Sequence, residues 1–168
     1  MANKSVSTFA KNGYGQVEPN HLSAQRTAQI YAQLPAKSDI EVLENGQYVK
    51  YDYPNNEVNF SGDGEWMLVY NEEKTYGEYE TRKDYAMTKE SQVRGVIVPR
   101  VFKTNVGDIY TTNFVAAGPY EAGDKLIIGE NGVPTKATED TVEGLVLQVV
   151  TNTTMPDGQA AVKLMRIQ

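Results

Sequence analysis

A mainly β fold is what this 168-residue sequence predicts: a small antiparallel β-barrel or sandwich with an extended N-terminal arm and one short helix. Three observations carry that expectation. From residue 40 onward the apolar residues come in short runs or alternate with period two, as strands require. The runs are separated by segments rich in Gly, Asn, Asp and Pro, the residues that hairpins and corners need. Only one stretch shows a helical period, and it lies before residue 40.

Residues 1 to 19 are polar, contain glycine and show no periodicity, so they read as an extended arm. The helix signal is "NHLSAQRTAQIYAQLP", where Ser23 is a candidate N-cap and Pro35 limits the C-terminal end. Thr27, Ile30, Tyr31 and Leu34 fall on one face at the 3.6-residue period. About three turns with so narrow an apolar stripe need a surface to lie on, either the β domain or another subunit.

In the β region "QYVKYDY" alternates, placing Val49, Tyr51 and Tyr53 on one face. Further strands are expected at "EWMLVY" (65–70), "RGVIVPRVF" (94–102), "DIYTTNFVA" (108–116), "DKLIIG" (124–129), "EGLVLQVVT" (143–151) and "QAAVKLMRI" (159–167). Pro99 requires an edge position or a bulge, because it cannot donate to a ladder. The expected organisation is an arm and helix over 1–39 and a β domain over 40–168. Within that domain, a Tyr-rich hairpin insertion spans about 65–90 and the barrel core about 94–168.

Two Gly-Asp pairs precede apolar runs, in "NVGDIYTTN" and "YEAGDKLIIG", and "ENGQYVKYDY" is a looser third copy. Asp108 and Asp124 have two readings. As an acid–base pair they must face one cleft. As turn residues they bond nearby backbone N–H groups while glycine takes the positive φ. Their identical place in successive hairpin-like units favours the turn reading.

Other chemistry is sparse. There is no cysteine, which excludes a disulfide framework, a thiolate metal site and a Cys nucleophile. His21 is the only histidine, so one chain holds no His triad and no multi-His metal site. The loop from Asn55 to Glu65 gathers oxygen ligands for calcium, without EF-hand spacing, and reads as a solvated hairpin tip. No P-loop and no Gly-x-Ser-x-Gly elbow is present. No catalytic, cofactor or metal residue is therefore assigned, and no cofactor is expected.

Charge excludes another class. The chain carries −6, but residues 1–39 hold four basic and two acidic groups, leaving 12 basic and 20 acidic groups beyond them. An acidic body of −8 lacks the dense positive stripe that direct nucleic-acid binding needs. No apolar run reaches the roughly 18 residues of a membrane span, and the N-terminus lacks a signal-peptide core. A soluble protein made in the cytoplasm is expected.

Tyrosine is the conspicuous residue: seven of 11 lie between positions 48 and 85. In "VYNEEKTYGEYETRKDYAM" they interleave with charges of both signs. Tyrosine gives rigid contact area with a polar tip, and mixed charge sets register with a partner. The segment reads both as a solvated hairpin packing on the β domain and as an interface.

The order of a polar arm, "YETRKDYAMTKE", "GVIVPRVFKTNVGDIYTTN" and "YEAGDKLIIGENGVPTKATEDTVEGLVLQVV" resembles the head decoration or cement proteins of tailed bacteriophages. Residues 94–168 carry most of the likeness; the Tyr-rich insertion departs from it. The resemblance implies a non-enzymatic virion structural protein on the capsid surface. Its partners would be the major capsid protein and neighbouring copies of itself. The expected contact residues are Phe9, Tyr14, Ile30, Tyr31 and Leu34 in the arm and helix, with Tyr76, Tyr79, Arg82 and Tyr85 in the insertion. An arm that orders on binding covers much surface at an entropic cost, and repeated weak sites gain by avidity. The alternative is a receptor- or carbohydrate-binding phage module that uses the Tyr-rich hairpin.

Overall fold

A computed structural model of the chain describes residues 14–23, 34–71, 75–77, 80–83, 86–138 and 144–168. Strands β1 (Val17–His21), β10 (Ile109–Thr112), β14 (Ala160–Arg166), β13 (Val146–Thr154), β11 (Lys125–Ile128) and β12 (Pro134–Lys136) lie side by side in that order. Every neighbouring pair in this six-stranded sheet is antiparallel. A four-stranded antiparallel sheet is ordered β4 (Glu57–Asn59), β3 (Tyr48–Asp52), β5 (Trp66–Val69) and β9 (Val101–Phe102). Two further pairs are β2 (Val42–Glu44) with β8 (Ala86–Thr88), and β6 (Thr75–Gly77) with β7 (Glu80–Lys83).

The mainly β fold is as the sequence predicts, in its sandwich-like form: the described sheets keep free edges and do not close into a barrel. The first core lies between the two large sheets. Tyr110, Leu126, Leu147, Val149, Val162 and Leu164 of one sheet meet Tyr48, Leu68, Tyr70 and Phe102 of the other side. Because side chains alternate across a strand, Val49, Tyr51, Met67, Val69 and Val101 point the opposite way. They form a second core with Leu43 and Met87 of β2 and β8, and with Ile40 and Ile97. The four-stranded sheet is thus buried on both faces, which is why β5 reads as an unbroken apolar run rather than an alternation. Tyr53 leaves the Val49–Tyr51 face at the end of β3 and is 62% exposed.

Three strand starts share one construction. In Asn105–Asp108 the Asp108 N–H donates to the Asn105 carbonyl at 3.0 Å, with Gly107 at φ +93°. The Asn105 N–H donates back to Asp108 Oδ2 at 2.8 Å. In Glu121–Asp124 the corresponding distances are 3.1 and 2.8 Å, with Gly123 at φ +97°. In Glu44–Gln47 they are 3.3 and 3.0 Å, with Gly46 at φ +94° and the Gln47 side chain replacing the carboxylate. Each is a type II turn with a side-chain clamp.

Each turn also runs straight into a bulge. Gly107, Gly123 and Gly46 donate to the carbonyls of Arg166, Val149 and Val69 at 2.8, 2.8 and 3.0 Å. Those same three residues donate back to Asp108, Asp124 and Gln47 at 2.9, 2.8 and 2.8 Å. Two residues oppose one, with the first a left-handed glycine, which is the G1 form of the β-bulge. β10, β11 and β3 therefore begin alike and set the register of β14, β13 and β5.

Several boundaries differ from expectation. Val17–His21, expected in the arm, is an edge strand paired with β10, and Val17 is fully buried. Its Glu-Pro-Asn-His composition has no alternation to reveal it, and Pro19 is tolerated because β1 has a neighbour on one side only among the described residues. The Ala36 segment is also part of the body: Lys37 donates to Val58 and Val58 to Pro35, both at 2.9 Å, covering the outer edge of β4. At the ends of the expected 65–90 insertion, β5 pairs with β3 and β9, and β8 pairs with β2, so both belong to the body. In "RGVIVPRVF" only Val101 and Phe102 are paired, with Pro99 just ahead of that edge strand. The expected helix over about 23–34 lies, beyond Ser23, mostly outside the described residues.

Candidate functional site

The two Gly-Asp carboxylates are not brought together. β10 and β11 are separated by β14 and β13, three strand spacings or about 14 Å. Paired carboxylates in hydrolytic sites stand roughly 5 to 9.5 Å apart. Asp108 is 2% exposed and accepts from the Ser23 N–H at 2.9 Å and the Ser23 hydroxyl at 3.0 Å, besides the Asn105 N–H. Asn105 Nδ2 closes the ring by donating to Ser23 Oγ at 2.6 Å. Asp124 forms a 2.7 Å ion pair with Lys136, which together with the Glu121 N–H holds its carboxyl below the usual range. Both groups serve the turns that contain them.

Asp52 accepts from Asn55 Nδ2 and Asn59 Nδ2, each at 3.0 Å, and the Asn55 contact foremost holds its carboxyl below the usual range. Glu65 instead pairs with Lys103 at 2.6 Å. Among the described residues no group of three or more His, Asp or Glu side chains is placed to hold a metal ion. His21 is exposed on β1.

Where the N-terminal segment joins the body, the chain is clamped. The Gly15 N–H donates to Glu44 Oε2 at 2.5 Å, and the Gln16 N–H to Asn113 Oδ1 at 2.6 Å. Gln16 Nε2 reaches Asp157 Oδ2 at 2.8 Å, at the β13–β14 turn, and Thr112 Oγ1 donates to the Gln16 carbonyl at 2.5 Å. A Cβ on residue 15 would lie 2.2 Å from the Asn45 carbonyl oxygen, so glycine is required there. The chain is thus anchored to the body from its first described residues, 14 to 17.

Of the expected contact residues, Tyr14 lies at that anchor, its carbonyl accepting from Asn113 Nδ2 at 3.0 Å. Leu34 packs against the second core. Tyr76 and Arg82 lie on β6 and β7, where the backbone pairing alone is described. Phe9, Ile30, Tyr31, Tyr79 and Tyr85 fall outside the described residues.

Clefts also open at the body's surface that the sequence does not show. One, of about 460 Å³, lies between the 115–120 segment and the β13–β14 hairpin, lined by Val115, Pro119, Tyr120, Ala160 and Val162 among others. Its polar groups are engaged: the Tyr120 hydroxyl donates to Ala116 at 2.5 Å, and Asn152 Nδ2 to the Tyr120 carbonyl at 2.7 Å. Burial raises the Tyr120 pKa above its ordinary value. Another cleft, also about 460 Å³, is lined by Lys50, Gly64, Glu65, Trp66, Gly144, Leu145, Arg166 and Gln168. The one signal in the sequence that could have marked it is the single tryptophan, which sits inside the expected strand "EWMLVY".

Comparison of the chain with protein-family models, with curated proteins and with solved structures finds no match. No helix among the described residues is long and apolar enough to cross a membrane.

Proposed function

We propose that this chain is a non-enzymatic structural protein of a tailed-phage virion, which binds the assembled capsid through its N-terminal segment and the β-body surface. The observation that carries this reading is the clamp at Gly15–Val17. Three β-body elements grip the chain immediately after a polar, net-basic stretch of sequence, residues 1–13, in a protein whose remaining residues are net acidic. A fixed anchor at residue 15 limits the conformations lost if residues 1–13 settle on a partner surface. The carboxylates that invited an enzymatic reading are occupied in turn clamps, which leaves surfaces rather than a reaction centre as the functional candidates. The likeness of residues 94–168 to decoration proteins supports the same reading. Its partners are the major capsid protein and neighbouring copies of the chain.

The test removes residues 1–13 alone, because a deletion through residue 35 would also take β1 and the buried Val17 and Leu22. The shortened protein is expected to keep its melting temperature within a few degrees and to lose co-sedimentation with purified shells. Undiminished co-sedimentation of the shortened protein would overturn the proposal.

A further inference from the structure

The cleft at the end of the first core holds the only tryptophan in the chain. Trp66 opens β5 and pairs with Lys50 of β3, so both side chains project from the same face of the four-stranded sheet. One side of the indole packs against the core, and the Lys50 ammonium stands 4.9 Å from its ring centroid. Lys50 has no ion-pair partner among the described residues. The opposite wall is Leu145, just before β13, with Arg166 and Gln168 at and after the end of β14. Arg166 is held there rigidly: its Nε donates to the Gln168 carbonyl at 2.9 Å, and its Nη1 to Thr104. Glu65, oriented by Lys103 at 2.6 Å, completes the rim.

We infer that this cleft binds an acidic saccharide, a pyranose ring stacked on Trp66 with its carboxylate between Lys50 and Arg166. Each part of the ligand has a counterpart. The apolar face of a pyranose suits an indole face, on which the Lys50 ammonium now rests and from which it can swing to meet a carboxylate. Two cations on facing sheets suit a single negative charge, and the Glu65 carboxylate accepts from ring hydroxyls. The volume falls within the roughly 300–1,000 Å³ of small-molecule sites. A polyanion is disfavoured, because residues 40–168 carry 20 acidic against 12 basic side chains and would repel it. This inference does not depend on capsid binding, and its test involves no shells.

The test is titration of the full-length protein with glucuronate, glucose and a tetra-aspartate peptide, read by Trp66 emission and by the indole N–H resonance. Glucuronate should shift both signals saturably, with glucose at least tenfold weaker. Lys50→Met, which keeps the aliphatic stem over the ring, should weaken glucuronate at least tenfold, and Lys50→Arg should restore most of the binding. No saturable response to glucuronate overturns the inference. So does equal binding of glucose, or tighter binding of tetra-aspartate, which would make the occupant an acidic peptide.

Discussion

Replacing Asp108 by Ala tests the turn-clamp account most sharply, because the same substitution at Asp124 alters the same turn in a different setting. Asp108 is 2% exposed and receives three donors: the Ser23 N–H, the Ser23 hydroxyl and the Asn105 N–H. A hydrogen bond to a charged group contributes about 1.5–3 kcal/mol, and each buried donor left unpaired costs about 1–3 kcal/mol. Ser23 Oγ can turn toward another acceptor, so the two backbone N–H groups dominate. The expected loss for Asp108→Ala is about 3–5 kcal/mol, a large part of the roughly 5–15 kcal/mol of a typical domain. At Asp124 one N–H and a surface lysine are released, and water reaches both, so that loss should be much the smaller. Urea unfolding of both variants, with the denaturant slope checked for constancy, measures the difference. An Asp108→Ala loss no larger than that of Asp124→Ala would refute the reasoning. Unchanged stability in both would show that neither carboxylate clamps its turn.

The Tyr48 and Tyr110 hydroxyls meet at 2.9 Å in the first core, and burial raises both pKa values well above the ordinary range. Tyr48→Phe strands the Tyr110 hydroxyl and should cost about 1–3 kcal/mol, whereas the double Phe variant should be closer to wild type in a thermal double-mutant cycle. Because the folded-state values are raised, this contribution is intact below about pH 10 and declines as pH rises further, so alkaline melting curves of the double variant should be flatter. Gly132 sits at φ +73°, where a Cβ would lie 1.8 Å from the Tyr48 carbonyl oxygen; Gly144, at φ +85°, faces open space. Gly132→Ala should therefore cost at least about 3 kcal/mol and Gly144→Ala only about 1 kcal/mol, measured by chemical unfolding. The Asp124 carboxyl is depressed below its ordinary 3.8, chiefly by Lys136. Its stabilisation is full above that pH and is lost as pH falls through the folded-state value, so the melting-temperature gap between wild type and Asp124→Asn should close below pH 4.

Much of the fold is legible in the sequence where a strand carries its own pattern. β3, β5, β10, β11, β13 and β14 all announce themselves by apolar runs between turn residues. The three turn-and-bulge units are visible as Gly-Asp, Gly-Asp and Gly-Gln before those runs. β2, β4, β8 and β12 are three residues long and owe their existence to a neighbour rather than to any local preference. β1 hides behind Pro19 and a polar composition. Burial of both faces of the four-stranded sheet follows from which elements cover it, and no strand pattern states that. The candidate site was less legible still. Tyr14 lies beside the clamp, where Gln16, Asn113 and Asp157 meet from positions up to 141 residues apart. The Trp66 cleft likewise joins β3, β5 and β14.

The central claim is that the N-terminal segment leads this protein to an assembled capsid. Co-sedimentation of full-length protein and of the 14–168 form with purified shells tests it directly. The account predicts saturable binding of the full-length protein in repeated copies per shell, and a folded 14–168 form that stays in the supernatant. A full-length protein that remains in the supernatant, or a 14–168 form that sediments equally well, would contradict it.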